Sequence, residues 1–542
     1  KISGIGSEQP QKMGKKAEKK AEDMEEDESS DSDSSGSELG MSDEEGGGEE
    51  AILALQQTLA ACGGYDYDAH ADLVRALSGR AKMKELGKAR EAFSAAFALH
   101  DDLWMEWIAD EARIAISDKD RAKIAALYER ALADFSSVPL WESYNAFLLA
   151  HLTSLPADDA GLAQATEQAR AVAERAVASM GADVTDGHRL WTQLVDLELF
   201  ALGASPDKTR ARAAFMRQLA APALGDALEK ALTRFKAWET DDAQLTAAEA
   251  AAKGARAGTE ERRAAEARVA PGGDEDVLEA WNGYIALEKK LKGGDARVRC
   301  VMERALAPCC LSPVLWDSYA TLAGASGPAS EARARARSAK NCPFSAELWC
   351  AHLAAMEKSG SPGAAVAQAY DRATSALRFL APASLSRLLM ARLDFERRRV
   401  LPPTPGTLLP PGDAETLRSA FEAACAILAS GKDDASVAGL RLVRLYFGDV
   451  EALLIGDTDR ASKVWEAAVR GCREDAPWLH VTNAERMVRN VGQARALYKR
   501  GCNSVQGKAL APFAQRWVEF ERREGDLETY SLALAKCVEL GG

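Results

Sequence analysis

A tryptophan-led segment returns along the chain at nearly constant spacing. Trp104 is followed three residues later by Trp107, Trp141 by Tyr144, Trp281 by Tyr284 and Trp316 by Tyr319. Trp191, Trp349, Trp478 and Trp517 head related segments, and an acid such as Glu198, Glu288, Glu357 or Glu521 often closes them. A second segment alternates with the first: LYERAL, holding Tyr128, Glu129 and Arg130; VAERAV at 172–177; VMERAL, holding Glu303 and Arg304; then AYDRAT, VWEAAV and LYKRGC. Intervals of 37, 35 and 33 residues between leading tryptophans match one helix-turn-helix unit. A single helix pair cannot bury its apolar face, so a chain built this way has to stack its pairs around a continuous core. The large aromatic fills the gap between two helices, and the small Ala of the ERAL segment lets the partner helix approach. The regularly placed Glu and Arg read as groups that orient helices through local hydrogen bonds.

From about residue 50 the texture is Ala, Leu, Glu and Arg, which are strong helix formers. Apolar residues recur at three and four positions, giving each helix one buried stripe, and no segment alternates as a strand would. The fold class expected is therefore all-α: an α-solenoid of tandem helix-turn-helix repeats in two arms, residues 51–275 and 276–542. Pro139, Pro308, Pro313 and Pro343 fall after ERAL-type helices, where proline turns the chain. Residues 239–275 are expected to be either a longer helix pair or a flexible joint between the arms. The proline-rich stretch 402–412 is expected to be a loop, either a plain insertion or a ligand for a proline-reading module.

Residues 1–50 have almost nothing to bury and are expected to form a disordered acidic tail. The segment from Glu22 to Glu50 carries 14 Asp and Glu and no Lys or Arg, which accounts for the whole net charge of −14. The remainder is electrically balanced, so it offers no global basic field for nucleic acid. The tail is a solvating segment or a contact for basic partners such as histones.

Catalytic and ligand signatures are missing. There is no phosphate loop, no nucleophile elbow, no HExxH and no CxxC pair, and the six histidines and ten cysteines are scattered. The chain reads as a non-enzyme with no cofactor and no metal site, and its thiols as reduced. No apolar run approaches the roughly 18 residues of a membrane span, so no membrane role is expected. Two basic knots stand out, Arg397, Arg398 and Arg399, and Arg333, Arg335 and Arg337. Each is a solvated face or a contact for an acidic partner or a phosphate. The last segment places Leu527, Tyr530, Leu534 and Val538 at helical spacing with few charges, which is poor capping chemistry for a repeat array and a candidate dimer face.

The alternation of W-x-x-[YFW]-x-x-x-E with [VIL]-[YFM]-E-R-A-L resembles the HAT (half-a-TPR) repeat family of RNA-processing scaffolds. Four further segments, 216–239, 301–322, 341–349 and 392–400, are similar to the HAT proteins that recycle the U4/U6 small nuclear ribonucleoprotein (snRNP). Over roughly residues 65–540 this resemblance implies a nuclear splicing factor, in the nucleoplasm and Cajal bodies, whose HAT array binds proteins and dimerises through its C-terminal arm. The implied partners are spliceosomal snRNP proteins, ubiquitin-specific proteases and histones. U6 RNA would be engaged mainly through RNA recognition motifs absent from this chain. A HAT scaffold of mRNA 3′-end formation or ribosomal RNA processing is the alternative. Leu389 and Phe447 depart from the pattern, standing where a leading Trp aligns.

Overall fold

The computed structural model describes residues 43–542 apart from 80–82, 157–160, 204–206, 271–275, 292–293, 403, 405 and 542. Ile52–Gly542 forms one compact unit. Most of the tail expected over 1–50 lies outside the described residues. Its last part does not: from Asp43 onward the backbone is helical, continuing back from an apolar stripe at Ile52, Leu55 and Leu59.

Among the described residues every long element is an α-helix. The first are α1 (Asp43–Ala61), α2 (Tyr67–Ser78), α3 (Met83–Ala96), α4 (Asp101–Ile114), α5 (Asp118–Asp134), α6 (Val138–Ser154), α7 (Leu162–Met180) and α8 (Gly187–Leu202). Then come α9 (Thr209–Ala220), α10 (Ala227–Trp238), α11 (Asp242–Val269), α12 (Val277–Leu291), α13 (Asp295–Leu306), α14 (Pro313–Gly324), α15 (Pro328–Asn341), α16 (Ala346–Lys358) and α17 (Gly363–Leu380). The last are α18 (Leu385–Val400), α19 (Pro411–Ala429), α20 (Asp434–Val450), α21 (Thr458–Val469), α22 (Asp475–Met487), α23 (Val491–Ser504), α24 (Leu510–Glu524) and α25 (Leu527–Glu539). Consecutive helices pack as pairs and pairs stack on pairs, so Ile52–Gly542 is an α-solenoid.

Three of the leading-tryptophan helices start by a common device. Ser137, Ser312 and Ser345 each stand four residues before Trp141, Trp316 and Trp349, and each accepts the backbone N–H of a leucine in the first turn. Pro139 and Pro313 sit inside that first turn, where a missing N–H costs nothing. The indole Nε1 of Trp316, Trp349 and Trp478 then donates to the carbonyl six residues back, at 2.7, 3.0 and 3.1 Å. Turn, cap and core aromatic are thereby one unit.

Two expectations are corrected. Residues 242–269 are one helix, α11, rather than a pair, and the 271–275 part of the expected joint lies outside the described residues; Ala248, Ala252 and Ala255 are buried along one face, which keeps Gly254 and Gly258 in helical register. The proline-rich stretch ends at Pro410, because Pro411 and Gly412 open α19, with proline in the position a helix start tolerates.

The early repeats also touch the later ones. The buried carboxylate of Asp134, at the end of α5, accepts from Leu99 N, from Trp104 Nε1 and, at 2.6 Å, from Lys340 Nζ in α15. Arg337 Nε donates to the Asp134 carbonyl, and Arg304 of α13 lies 3.4 Å from Asp183 beyond α7. Tyr65 donates to the Arg372 carbonyl in α17.

Candidate interaction surface

The repeat tryptophans sit in the core, and arginines of six inner helices stack on them. Arg130 lies over Trp104 and Trp107, Arg175 over Trp141, Arg217 over Trp191, Arg304 over Trp281, Arg337 over Trp316 and Arg500 over Trp478, all at 5.0–5.9 Å from the ring centre. Each of these arginines also pairs with an acid, but never with the Glu beside it in sequence. Arg130 reaches Glu91, Arg175 reaches Glu129, Arg217 reaches Glu174, Arg304 reaches Glu266, Arg337 reaches Glu303 and Arg500 reaches Glu466. The partner always belongs to the corresponding helix of the preceding repeat. The Glu and Arg of one motif therefore point in opposite directions along the array, each tying its helix to a different neighbour. This corrects the expectation of a local Glu/Arg pair: adjacent residues on a helix diverge by about 100° and cannot face each other.

Burial sharpens the series towards the middle. Glu303 and Arg337 are nearly closed to solvent, whereas Glu129 and Arg175 are about half exposed. Burial works against the charge on Glu303, but Arg337 and the hydroxyl of Tyr319 outweigh it and hold the carboxyl below its usual range. In the outer pair Arg175 lowers Glu129, while burial and then Glu129 push Tyr144 up to about 12.

The acid that closes the leading helix forms a second series. Glu198, Glu288 and Glu521 are buried and take two-pronged bonds from Arg170, Arg262 and Arg495 at 2.5–3.1 Å.

Where the array lacks a leading tryptophan the packing is made good locally. Leu389 is buried, and Phe447 stacks on Phe421 at 4.8 Å. The following helix, α21, carries the buried Trp465, which donates to Leu445 O and Asp449 Oδ1. Trp465 holds the place in VWEAAV that Tyr128 holds in LYERAL, so it is the aromatic of its own motif.

The basic knots differ from a free patch. Arg398 is held by both oxygens of Glu357, Arg399 by Glu396 over the Phe395 ring, and Arg397 keeps its buried Nε without a partner. Arg335 pairs with Asp317 and Arg337 with Glu303, leaving Arg333 bonded, among the described residues, only to Ser330 Oγ. At the chain's end Leu527, Leu534 and Val538 are 82%, 43% and 66% exposed, while Tyr530 is partly covered by Arg522.

One large cavity, of about 930 Å³, opens between the inner helices α3, α5 and α7 on one side and α13 to α17 on the other. Three of its acids are spoken for: Glu129 by Arg175, Asp134 by Lys340 and Glu303 by Arg337.

Tandem pairs of a tryptophan-led helix and an ERAL helix, tied repeat to repeat through Trp, Arg and Glu, make this an α-solenoid of HAT repeats. Residues 57–237 match the family described as the PRP39 N-terminal HAT repeat. The chain as a whole is similar to the spliceosome associated factor 3, U4/U6 recycling protein, of Mus musculus, with 27% identity over 494 residues, 90% of this chain and 49% of the relative. The protein of the same description from Homo sapiens is 27% identical over 481 residues, 87% of this chain and 48% of the relative. The chain spans about half the length of these curated relatives. Among solved structures, the crystal structure of CSTF-77 covers 81% of this chain and 88% of its own at 14% identity and a TM-score of 0.37, too distant to argue from.

Proposed function

We propose that the chain is the non-catalytic interaction and dimerisation scaffold of a pre-mRNA splicing factor that promotes U4/U6 snRNP assembly and recycling. The observation that carries this reading is the similarity to U4/U6 recycling proteins, which runs through 90% of the chain rather than through one repeat block. A scaffold role is supported by the use of the ionisable groups: the repeat glutamates and arginines hold helices together instead of converging on a reactive atom. The partners that go with it are spliceosomal snRNP proteins, ubiquitin-specific proteases, histones and U6 RNA, and the place of action is the nucleus. Two arms, 51–275 and 276–542, would divide this work, the second carrying the dimer face at Leu527, Leu534 and Val538.

The test is affinity purification of the full-length protein from nuclear extract, followed by RNA sequencing and mass spectrometry. Enrichment of U4 and U6 over U1 and U2 is expected. Recovery of 3′-end processing or ribosomal RNA processing components, without U4 and U6, would assign the scaffold to another pathway.

A further inference from the structure

The HAT series of arginine–glutamate ties has a gap that sequence explains. Except for Arg130, each tie joins an ERAL-type arginine to the residue just before the equivalent position one repeat earlier, as Arg175 joins Glu129, Arg217 joins Glu174 and Arg337 joins Glu303. For Arg372 of α17 that residue is Ala336 of α15, which has no carboxylate to offer. Arg372 is exposed, lines the cavity, and among the described residues makes no ion pair. Two more arginines share the lining without an acid. Among the described residues, Arg299 of α13 bonds only Ser326 Oγ and keeps a buried, unpartnered Nε, and Arg333 of α15 bonds only Ser330 Oγ. His352 of α16 completes the group: it is 6% exposed, it lines the same cavity, and its Nδ1 is buried without a hydrogen-bond partner.

We infer that this cavity is a docking site for an extended, carboxylate-rich peptide segment of a partner protein, held by Arg299, Arg333 and Arg372, with His352 Nδ1 available for one polar contact. Charge complementarity selects acid, because the carboxylates in the lining are already paired and the arginines are not. Extension follows from placement. The three guanidiniums come from α13, α15 and α17, successive inner helices about 10 Å apart, so a single small anion cannot engage all of them. A peptide advancing about 3.3 Å per residue spans the row with six or seven residues. Single-stranded RNA fits less well, since it wants open aromatic faces to stack on. Here the rings of Trp141 and Tyr319 are already covered by Arg175 and Arg337, and Trp349 is buried. The inference does not depend on which RNA pathway the scaffold serves.

The experiment is fluorescence anisotropy on the full chain with a fluorescein-labelled peptide alternating Glu and Ser, a Lys-Ser peptide as control and oligouridine RNA as competitor. The acidic peptide is expected to bind, more weakly as salt rises, and the Lys-Ser peptide not to. Arg333→Glu with Arg372→Glu, at exposed positions that hold no ion pair, should weaken binding at least about tenfold with the circular dichroism spectrum unchanged. Ala336→Glu removes no arginine; by restoring the missing tie to Arg372 it should also weaken binding several-fold. Arg516→Glu, on α24, should leave it unchanged. Failure of the acidic peptide to bind, or binding indifferent to both the double substitution and Ala336→Glu, overturns the proposal. So does oligouridine that binds more tightly than the peptide and is lost in the double variant, because the surface would then belong to nucleic acid.

Discussion

Glu303 and Arg337 belong to successive inner helices, α13 and α15, and hold each other by two parallel hydrogen bonds of 2.7 and 2.8 Å while the guanidinium lies over Trp316. Removing one partner strands the other in a site closed to water. Glu303→Ala is therefore expected to destabilise the array by about 3 kcal/mol or more. The equivalent change in the half-exposed tie, Glu129→Ala, should cost only about 0.5 kcal/mol. Urea titration of the two variants checks the ordering, and hydrogen exchange should show the loss concentrated in α13 and α15.

Trp465 depends on a glycine. A Cβ placed on Gly448 would lie 2.2 Å from its Nε1, so Gly448→Ala forces the indole away from Leu445 O and Asp449 Oδ1. The expected loss is about 1–3 kcal/mol, read as a lower thermal midpoint.

Burial, and then the charge of Arg372, push His352 down to about 4. A free histidine titrates near 6.5, so between those values the unfolded chain binds more protons than the folded one. The stability this group contributes is thus complete above about pH 6.5 and is lost as pH falls towards about 4, amounting to about 3 kcal/mol. Urea unfolding across that window should show a flatter pH dependence for His352→Gln than for the parent.

Assembly can be read from α25. Its covered side is Ala533 and Cys537, and the stripe of Leu527, Leu534 and Val538 faces solvent. Sedimentation at micromolar concentration is expected to give a dimer, and Leu527→Asp with Val538→Asp a monomer with unchanged helicity. A parent chain that sediments as a monomer would contradict dimerisation through this face.

The repeat pattern carries the helices and their buried aromatics, because an apolar stripe at helical spacing and a tryptophan between helices are local facts. Ties such as Arg175 to Glu129 were hidden, since they join residues 46 apart whose side chains meet only after the pairs stack. The serine four residues before Trp141, Trp316 and Trp349 was visible and unread as a cap. The cavity could not be foreseen at all: it exists because α5 meets α15, through Asp134 and Lys340, across 206 positions of sequence.

Re-formation of the U4/U6 duplex in nuclear extract depleted of this protein tests the proposed role most directly. Depletion is expected to leave U4 and U6 as separate particles after a round of splicing. Added full-length protein should restore the duplex, and a form carrying Glu303→Ala should restore it poorly. Duplex levels that are the same before and after depletion would contradict the recycling role.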